Sequence, residues 1–179
     1  MRNLETKARC RDLALARQRA TSIGAVEQWT RRQVDTYFLV PNGRLKLRRQ
    51  EEGPAELIFY RRPDKPQARW SSYSIVTVVR AAELGEILAE ALGVAVHVDK
   101  VRTLLTLEHT RIHLDRVAGL GDFVELETVL TDQGEESAKE EHNRIAEALG
   151  IEAGDCVACS YCDLLLQINA EWHDPDTQA

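Results

Sequence analysis

Acidic and basic side chains recur two residues apart along several segments of this chain, and they are the groups able to do chemistry. Asn3, Glu5, Lys7 and Arg9 share one side of an extended opening segment, with Leu4, Thr6, Ala8 and Cys10 on the other. The same beat returns in Arg44, Lys46 and Arg48, in Lys100 and Arg102, in Arg111, His113 and Asp115, and in Glu125 and Glu127. Residues two apart in a strand project to one face. Such strands side by side would gather many cations and several carboxylates on one surface. Guanidinium and ammonium groups in that number suit a polyanion. Carboxylates among them suit a hard divalent cation held with it.

The elements that must position these residues are mostly strands. Segments 3–10, 26–31, 33–40, 44–49, 56–62, 73–79, 96–107, 110–117, 123–130 and 160–166 read as extended. Asn42-Gly43 is a hairpin turn between two of them, and Gly119-Leu120-Gly121-Asp122 is a turn between two later ones. Three helices punctuate the pattern. One starts at the N-cap Asp12 and breaks near Gly24, one covers Ala81 to Leu92 with Gly93 as its stop, and one covers Ser137 to Leu149 before Gly150.

Two arrangements fit the alternation. An open antiparallel sheet would keep one face wet and one on the core. A closed barrel would turn the charged face inward and cover its apolar outside with helices. Small barrels usually fill with apolar side chains, so a charged interior would be a ligand tunnel. The tunnel is favoured by the mixture of signs. A solvated face gains nothing from placing Arg beside Arg, whereas a phosphate chain offsets that repulsion.

Composition narrows the function classes. The 179 residues are 44% hydrophobic and 29% charged, as expected of one soluble globular domain spanning 1–179. No apolar run is long enough for a membrane span, and the polar N-terminus gives no hydrophobic signal region, so a cytoplasmic protein is expected. A net charge of −6 and scattered Trp29, Trp70 and Trp172 disfavour a nucleic-acid binder. No glycine-rich phosphate loop precedes a Lys-Ser/Thr pair. Cys156, Cys159 and Cys162 have the spacing of a metal run, but a strand at 160–166 would point alternate thiols apart and no local fourth ligand exists. They read as free thiols packed as small hydrophobes.

The segment Asn3-Leu4-Glu5-Thr6-Lys7-Ala8-Arg9 resembles the Glu-x-Glu-x-Lys signature of CYTH-domain proteins, the triphosphate tunnel metalloenzymes, with Asn3 in place of the first Glu. Further similar segments follow in order: Gln33 to Phe38, Gly43 to Arg48, Leu57 to Asp64, Lys100 to Arg102, Arg111 to Asp115, Gly119 to Glu127 and Ser160 to Leu165. The class IV adenylate cyclases are the most similar branch. The resemblance implies a mainly β fold with some α, an eight-stranded antiparallel barrel with a charged interior and flanking helices. It implies Mg2+ or Mn2+ as cofactor and a small triphosphate molecule as partner: ATP cyclised to cyclic AMP, or thiamine triphosphate or tripolyphosphate hydrolysed. Neither nucleic acid nor membrane is expected as a partner, and a homodimer is compatible with this reading.

By position, the resemblance makes Glu5, Glu125 and Glu127 metal ligands, with Glu108 as a helper. It makes Lys7, Arg44, Lys46, Arg48, Arg62, Lys100, Arg102 and Arg111 substrate-binding. Lys7, Arg48 and Asp115 are the expected catalytic set, Asp115 by orienting a cation or aiding the metal. His113 reads as a structural hydrogen-bonding residue. Asn3 offers a neutral oxygen where a carboxylate would bring charge, which leaves a binding module of low activity as the competing reading.

Overall fold

The computed structural model of the protein describes residues 2–61 and 68–172. Eight strands form a closed barrel: β1 (Arg2–Arg9), β2 (Val26–Phe38), β3 (Arg44–Gln50), β4 (Ala55–Arg61), β5 (Arg69–Val78), β6 (Val94–Leu107), β7 (Thr110–Val117) and β8 (Gly121–Val129). Around the barrel they run β1-β5-β4-β3-β2-β6-β7-β8, with every neighbouring pair antiparallel. Four α-helices flank it: α1 (Leu13–Ser22), α2 (Ala81–Leu92), α3 (Glu135–Leu149) and α4 (Tyr161–Trp172).

Local chemistry accounts for most boundaries. Asp12 caps α1, its Oδ1 accepting from the amides of Ala14 and Leu15 at 2.9 and 3.0 Å. Gly150 closes α3 in the left-handed region. Gly43, at φ 68°, serves the β2–β3 hairpin, where a Cβ would lie 2.8 Å from the Tyr60 carbonyl oxygen.

Two expectations are corrected. Segments 26–31 and 33–40 are one strand, β2, because nothing near Arg32 breaks the alternation. Arg32 points outward and pairs with Asp99 at 2.6 Å. Segment 160–166 is the start of α4, not a strand. The Ser160 amide donates to Asp163 Oδ2 at 2.9 Å, and the Asp163 amide donates back to Ser160 Oγ at 3.1 Å. That reciprocal cap starts a helix. The run Leu164-Leu165-Leu166 fits either structure by hydrophobicity alone.

The barrel is built with much of its core on the outside. Leu105, Ile112, Leu114, Val124 and Leu126 face outward and pack with Ala16 and Ala20 of α1 and Ile145 and Leu149 of α3. Each fully buried aliphatic side chain contributes about 2 kcal/mol, so this outer layer stabilises the fold and leaves the interior for charge. His142 fastens α3 to the wall, its two ring nitrogens 2.8 Å from the hydroxyls of Thr6 on β1 and Thr128 on β8. Burial pushes His142 down to about 4, so it is neutral there.

A second cluster, Tyr37, Val98, Val117, Phe123, Tyr161 and Cys162, carries the inward parity of β2, β6, β7 and β8. It makes an apolar floor at one end of the barrel. Tyr161 from the first turn of α4 meets Phe123 edge-on at 5.0 Å. None of the described helices is long and apolar enough to cross a membrane.

Candidate functional site

Above the floor the barrel holds a cavity of about 420 Å³. Among the described residues seven cations line it, Lys7, Arg31, Lys46, Arg48, Lys100, Arg102 and Arg111, against five carboxylates, Glu5, Asp35, Glu56, Glu125 and Glu127. These described lining residues carry a formal excess of cations inside a chain of net charge −6. Strand parity places these groups. Glu5 and Lys7 come from β1, Asp35 from β2, Lys46 and Arg48 from β3, Lys100 and Arg102 from β6, Arg111 from β7, and Glu125 and Glu127 from β8.

The charges sort into two hubs. Asp35 is the first. Its carboxylate accepts from Arg48 through Nε at 2.7 Å and a terminal nitrogen at 2.8 Å, from Lys46 at 2.8 Å and from Lys100 at 2.9 Å. Burial alone would raise its pKa, but Arg48, Lys100 and Lys46 hold it well below the usual carboxylate range. Three cations on one carboxylate leave an excess of positive charge. Burial pushes Lys46 down to about 8 and Lys100 down to about 7, with Arg48 adding to both shifts and Asp35 opposing them.

A polyanion bound here would favour the charged forms of both lysines, so its binding is expected to take up protons from about pH 7 upward. Well below pH 7 both lysines are already protonated and uptake disappears. Affinity falls as pH rises through the uptake range. Calorimetric titration with tripolyphosphate in two buffers of different ionisation enthalpy reads the uptake directly, and identical heats would contradict it.

Glu125 and Arg102 form the second hub. Lys7 donates to Glu125 Oε1 at 2.8 Å and lies 3.7 Å from the centre of the Tyr161 ring. Arg102 reaches Glu125 Oε2 at 2.8 Å and grips Asp115 bidentately at 2.6 and 2.5 Å. Burial opposes ionisation of Glu125, yet Lys7, His113 and Arg102 hold its pKa well below normal. Asp115 is fully buried, also accepts from the Tyr161 hydroxyl at 2.8 Å, and does not line the cavity. It fixes the guanidinium of Arg102.

An acidic pole adjoins this hub. Glu5 and Glu127 stand directly opposite on β1 and β8, and Glu125 faces His113 across β7 and β8. Like charges directly opposite each other in a sheet repel, and a divalent cation between them would reverse that cost. Glu127 Oε2 lies 3.3 Å from Arg111 Nε, and Glu127 Oε1 lies 3.8 Å from His113 Nδ1. Among the described residues His113, Glu125 and Glu127 are the group whose donor atoms could surround one metal ion, all within 4.8 Å of one another. The donor set fits a divalent ion. Asn3 is buried on the same wall, with its Oδ1 lacking a hydrogen-bond partner.

Thus Lys7, Lys46, Arg48, Lys100, Arg102, Arg111, Glu5, Glu125 and Glu127 come together in one hollow. Asp115 stands behind its wall, against Arg102, and two expected members lie elsewhere. Glu108 sits in the β6–β7 turn at φ 51°, half exposed and paired with Arg144 of α3 at 2.8 Å, away from the cavity wall. Arg44 lies at the end of β3 below the floor and donates to Asp163 of α4 at 2.8 Å, so it is absent from the cavity wall. Arg62 lies outside the described residues. The four cysteines form no disulfide and only Cys162 is buried; because Cys162 lies on α4, no strand at 160–166 points alternate thiols apart, and that ground for reading them as free falls. Sequence reasoning missed Asp35 and Arg31, although both share the parity of Gln33 on one strand, and it gave His113 only a structural part.

A closed barrel whose cations converge on one hollow beside clustered carboxylates has a shape and charge suited to a polyanion held with a metal ion. The chain belongs to the CYTH domain family, whose profile matches residues 1–161. No curated protein matches it by sequence. Among solved structures it is similar to the PH1012 protein of Pyrococcus horikoshii OT3, with 22% identity over 90% of this chain and 98% of that one and a TM-score of 0.82. It also resembles a provisionally named adenylate cyclase from Vibrio parahaemolyticus (19% identity, 91% and 97% coverage, TM-score 0.74). A third is a provisionally named adenylyl cyclase from Hippeastrum described as having a dominant triphosphatase activity (13%, 93% and 96%, 0.63). At these identities the likeness concerns the fold.

Proposed function

We propose that this protein is a divalent-metal-dependent enzyme that holds the phosphate chain of a triphosphate inside the barrel and cleaves it. The carrying observation is the enclosure of seven cations with the Glu5, Glu125 and Glu127 pole in one cavity. The Hippeastrum protein's described triphosphatase activity and the cyclase name of the Vibrio protein support the same substrate class.

The chain's own residues divide the work. Arg48, Lys46 and Lys100, held in place by Asp35, grip phosphate oxygens from the β2–β3–β6 wall. Lys7 on β1, Arg102 further along β6 and Arg111 on β7 grip beside the acidic pole, with Arg102 fixed by Asp115. Arginine binds such oxygens bidentately and lysine as a point charge. Glu5, Glu125 and Glu127 would hold Mg2+ or Mn2+. The chemistry such an ion supplies is neutralisation of phosphate charge and activation of an attacking hydroxyl. The buried cations offset charge developing on the leaving phosphate in a site already organised by Asp35 and Asp115. Water as attacker gives hydrolysis; the 3′-hydroxyl of ATP attacking the α-phosphorus gives cyclic AMP and pyrophosphate.

A second reading, a triphosphate-binding module of little activity, is favoured by Asn3, whose buried carbonyl oxygen replaces a charged ligand. One assay separates the two. Purified protein is given ATP, thiamine triphosphate and tripolyphosphate with Mg2+ or Mn2+, and cyclic AMP is scored separately from phosphate. Metal-dependent turnover of at least one substrate is expected. Tight binding without turnover would select the module, and failure to bind any of the three would sink both readings.

A further inference from the structure

His113 lines the cavity but is not among the cations assigned above to the phosphate chain. It projects from β7 opposite Glu125, buried to 5% exposure. Its Nδ1 has no hydrogen-bond partner, although Glu125 Oε2 lies 3.6 Å away and Glu127 Oε1 3.8 Å away. Leaving a buried polar atom unsatisfied is costly, so the position calls for an explanation. Those separations exceed a hydrogen bond. They match two donors on one ion, since ligands roughly 2.1 Å from a metal lie about 3 to 4 Å apart. Arg102 and Arg111, the nearest guanidiniums by strand register, are donors only and repel any cation not held by carboxylates.

We propose that His113 Nδ1 is a ligand to the divalent ion held by Glu125 and Glu127, and that this nitrogen turns the site's preference away from Mg2+. The inference rests on the metal-dependent reading of the cavity. Mg2+ selects oxygen donors and keeps its waters, whereas imidazole suits first-row transition ions in the order Mn2+ below Co2+. An all-carboxylate pole would discriminate among these ions much less. His113 therefore acts as a specificity-determining residue, with Co2+ gaining most from it, Mn2+ less and Mg2+ least.

The test measures binding, not turnover. Mg2+, Mn2+ and Co2+ are titrated calorimetrically into the full-length protein and into His113→Gln. Loss of the nitrogen is expected to weaken Co2+ by at least about tenfold, Mn2+ by less, and Mg2+ little. Equal losses for all three ions would overturn the proposal. A second measurement does not depend on the variant's folding: pulsed EPR of Mn2+ bound to the unsubstituted protein, with ordinary and 15N-labelled histidine. A nitrogen coupling that changes with the label is expected. Mn2+ that binds without such a coupling would refute His113 as a ligand and leave the carboxylate site standing. A protein that binds none of the three ions would overturn the metal-dependent reading and this inference together.

Discussion

Asp35→Asn is expected to lower the unfolding free energy by about 3–5 kcal/mol, the cost of leaving buried charges without their partner. The carboxylate is 1% exposed and is shared by Arg48, Lys46 and Lys100. Asparagine keeps its size but offers one neutral acceptor, so three buried cations would face one another. Lys100, already near 7, relieves part of this by releasing its proton. The loss should therefore fall at the lower end of the range at neutral pH.

Sign and pH window follow from the depressed pKa. The stabilisation from Asp35 is full above the ordinary carboxylate value and is lost as pH falls through its lower folded value. Asp35→Asn should thus flatten the acid limb of the stability profile as well as lower it. Tripolyphosphate supplies the missing negative charge, so it should raise the unfolding midpoint of the variant more than that of the parent. Urea denaturation with and without tripolyphosphate, across acid to neutral pH, measures all three effects. Asp99→Asn is the control. It breaks a bidentate but solvent-exposed pair with Arg32 and should leave stability nearly unchanged. If both substitutions cost the same, Asp35 is not the keystone of the cation cluster.

How far the sequence discloses this arrangement depends on whether a property is local. The barrel is legible because strand parity is local. Runs of alternate residues in β1, β3, β6, β7 and β8 carry charge, and a charged stretch of interior follows once the sheet closes. Parity fails where a strand ends. Glu108 has the parity of Lys100 and Arg102, yet the chain turns at φ 51° and sends it to Arg144. Arg44 has the parity of Lys46, but it lies past the apolar floor, where Asp163 claims it.

That floor is itself illegible from sequence. Tyr37, Val98, Val117 and Phe123 lie far apart along the chain, and α4 covers them only because a Ser160–Asp163 cap converts an apolar run into a helix. Asp35 was hidden for the same reason. Its role comes from Arg48 opposite it on β3 and Lys100 on β6, contacts that only long-range pairing creates. His113 looked structural because a lone imidazole in a strand says nothing of the two carboxylates that register brings beside it.

Glu127→Gln is expected to reduce metal-dependent turnover by about 100-fold or more while leaving the fold intact. Glu127 is the cleaner probe of the acidic pole. Glu125 is already committed, one oxygen to Lys7 and the other to Arg102, so its loss would also free two buried cations. Glu127 has a looser neighbour in Arg111, 3.3 Å away, and a glutamine carbonyl can still face that guanidinium. Burial opposes its ionisation, but His113 and Arg111 hold its pKa below normal, so it is a carboxylate throughout the neutral range. Replacing it removes a full negative charge from the pole that faces Glu5 across β1 and β8. Divalent affinity should fall together with turnover. Affinity for tripolyphosphate without metal should hold or rise, because the cavity becomes more positive. The circular dichroism spectrum and thermal midpoint serve as the folding check. Retained turnover with unchanged Mg2+ and Mn2+ dependence, in a folded variant, would remove the metal from this pole and with it the proposed mechanism.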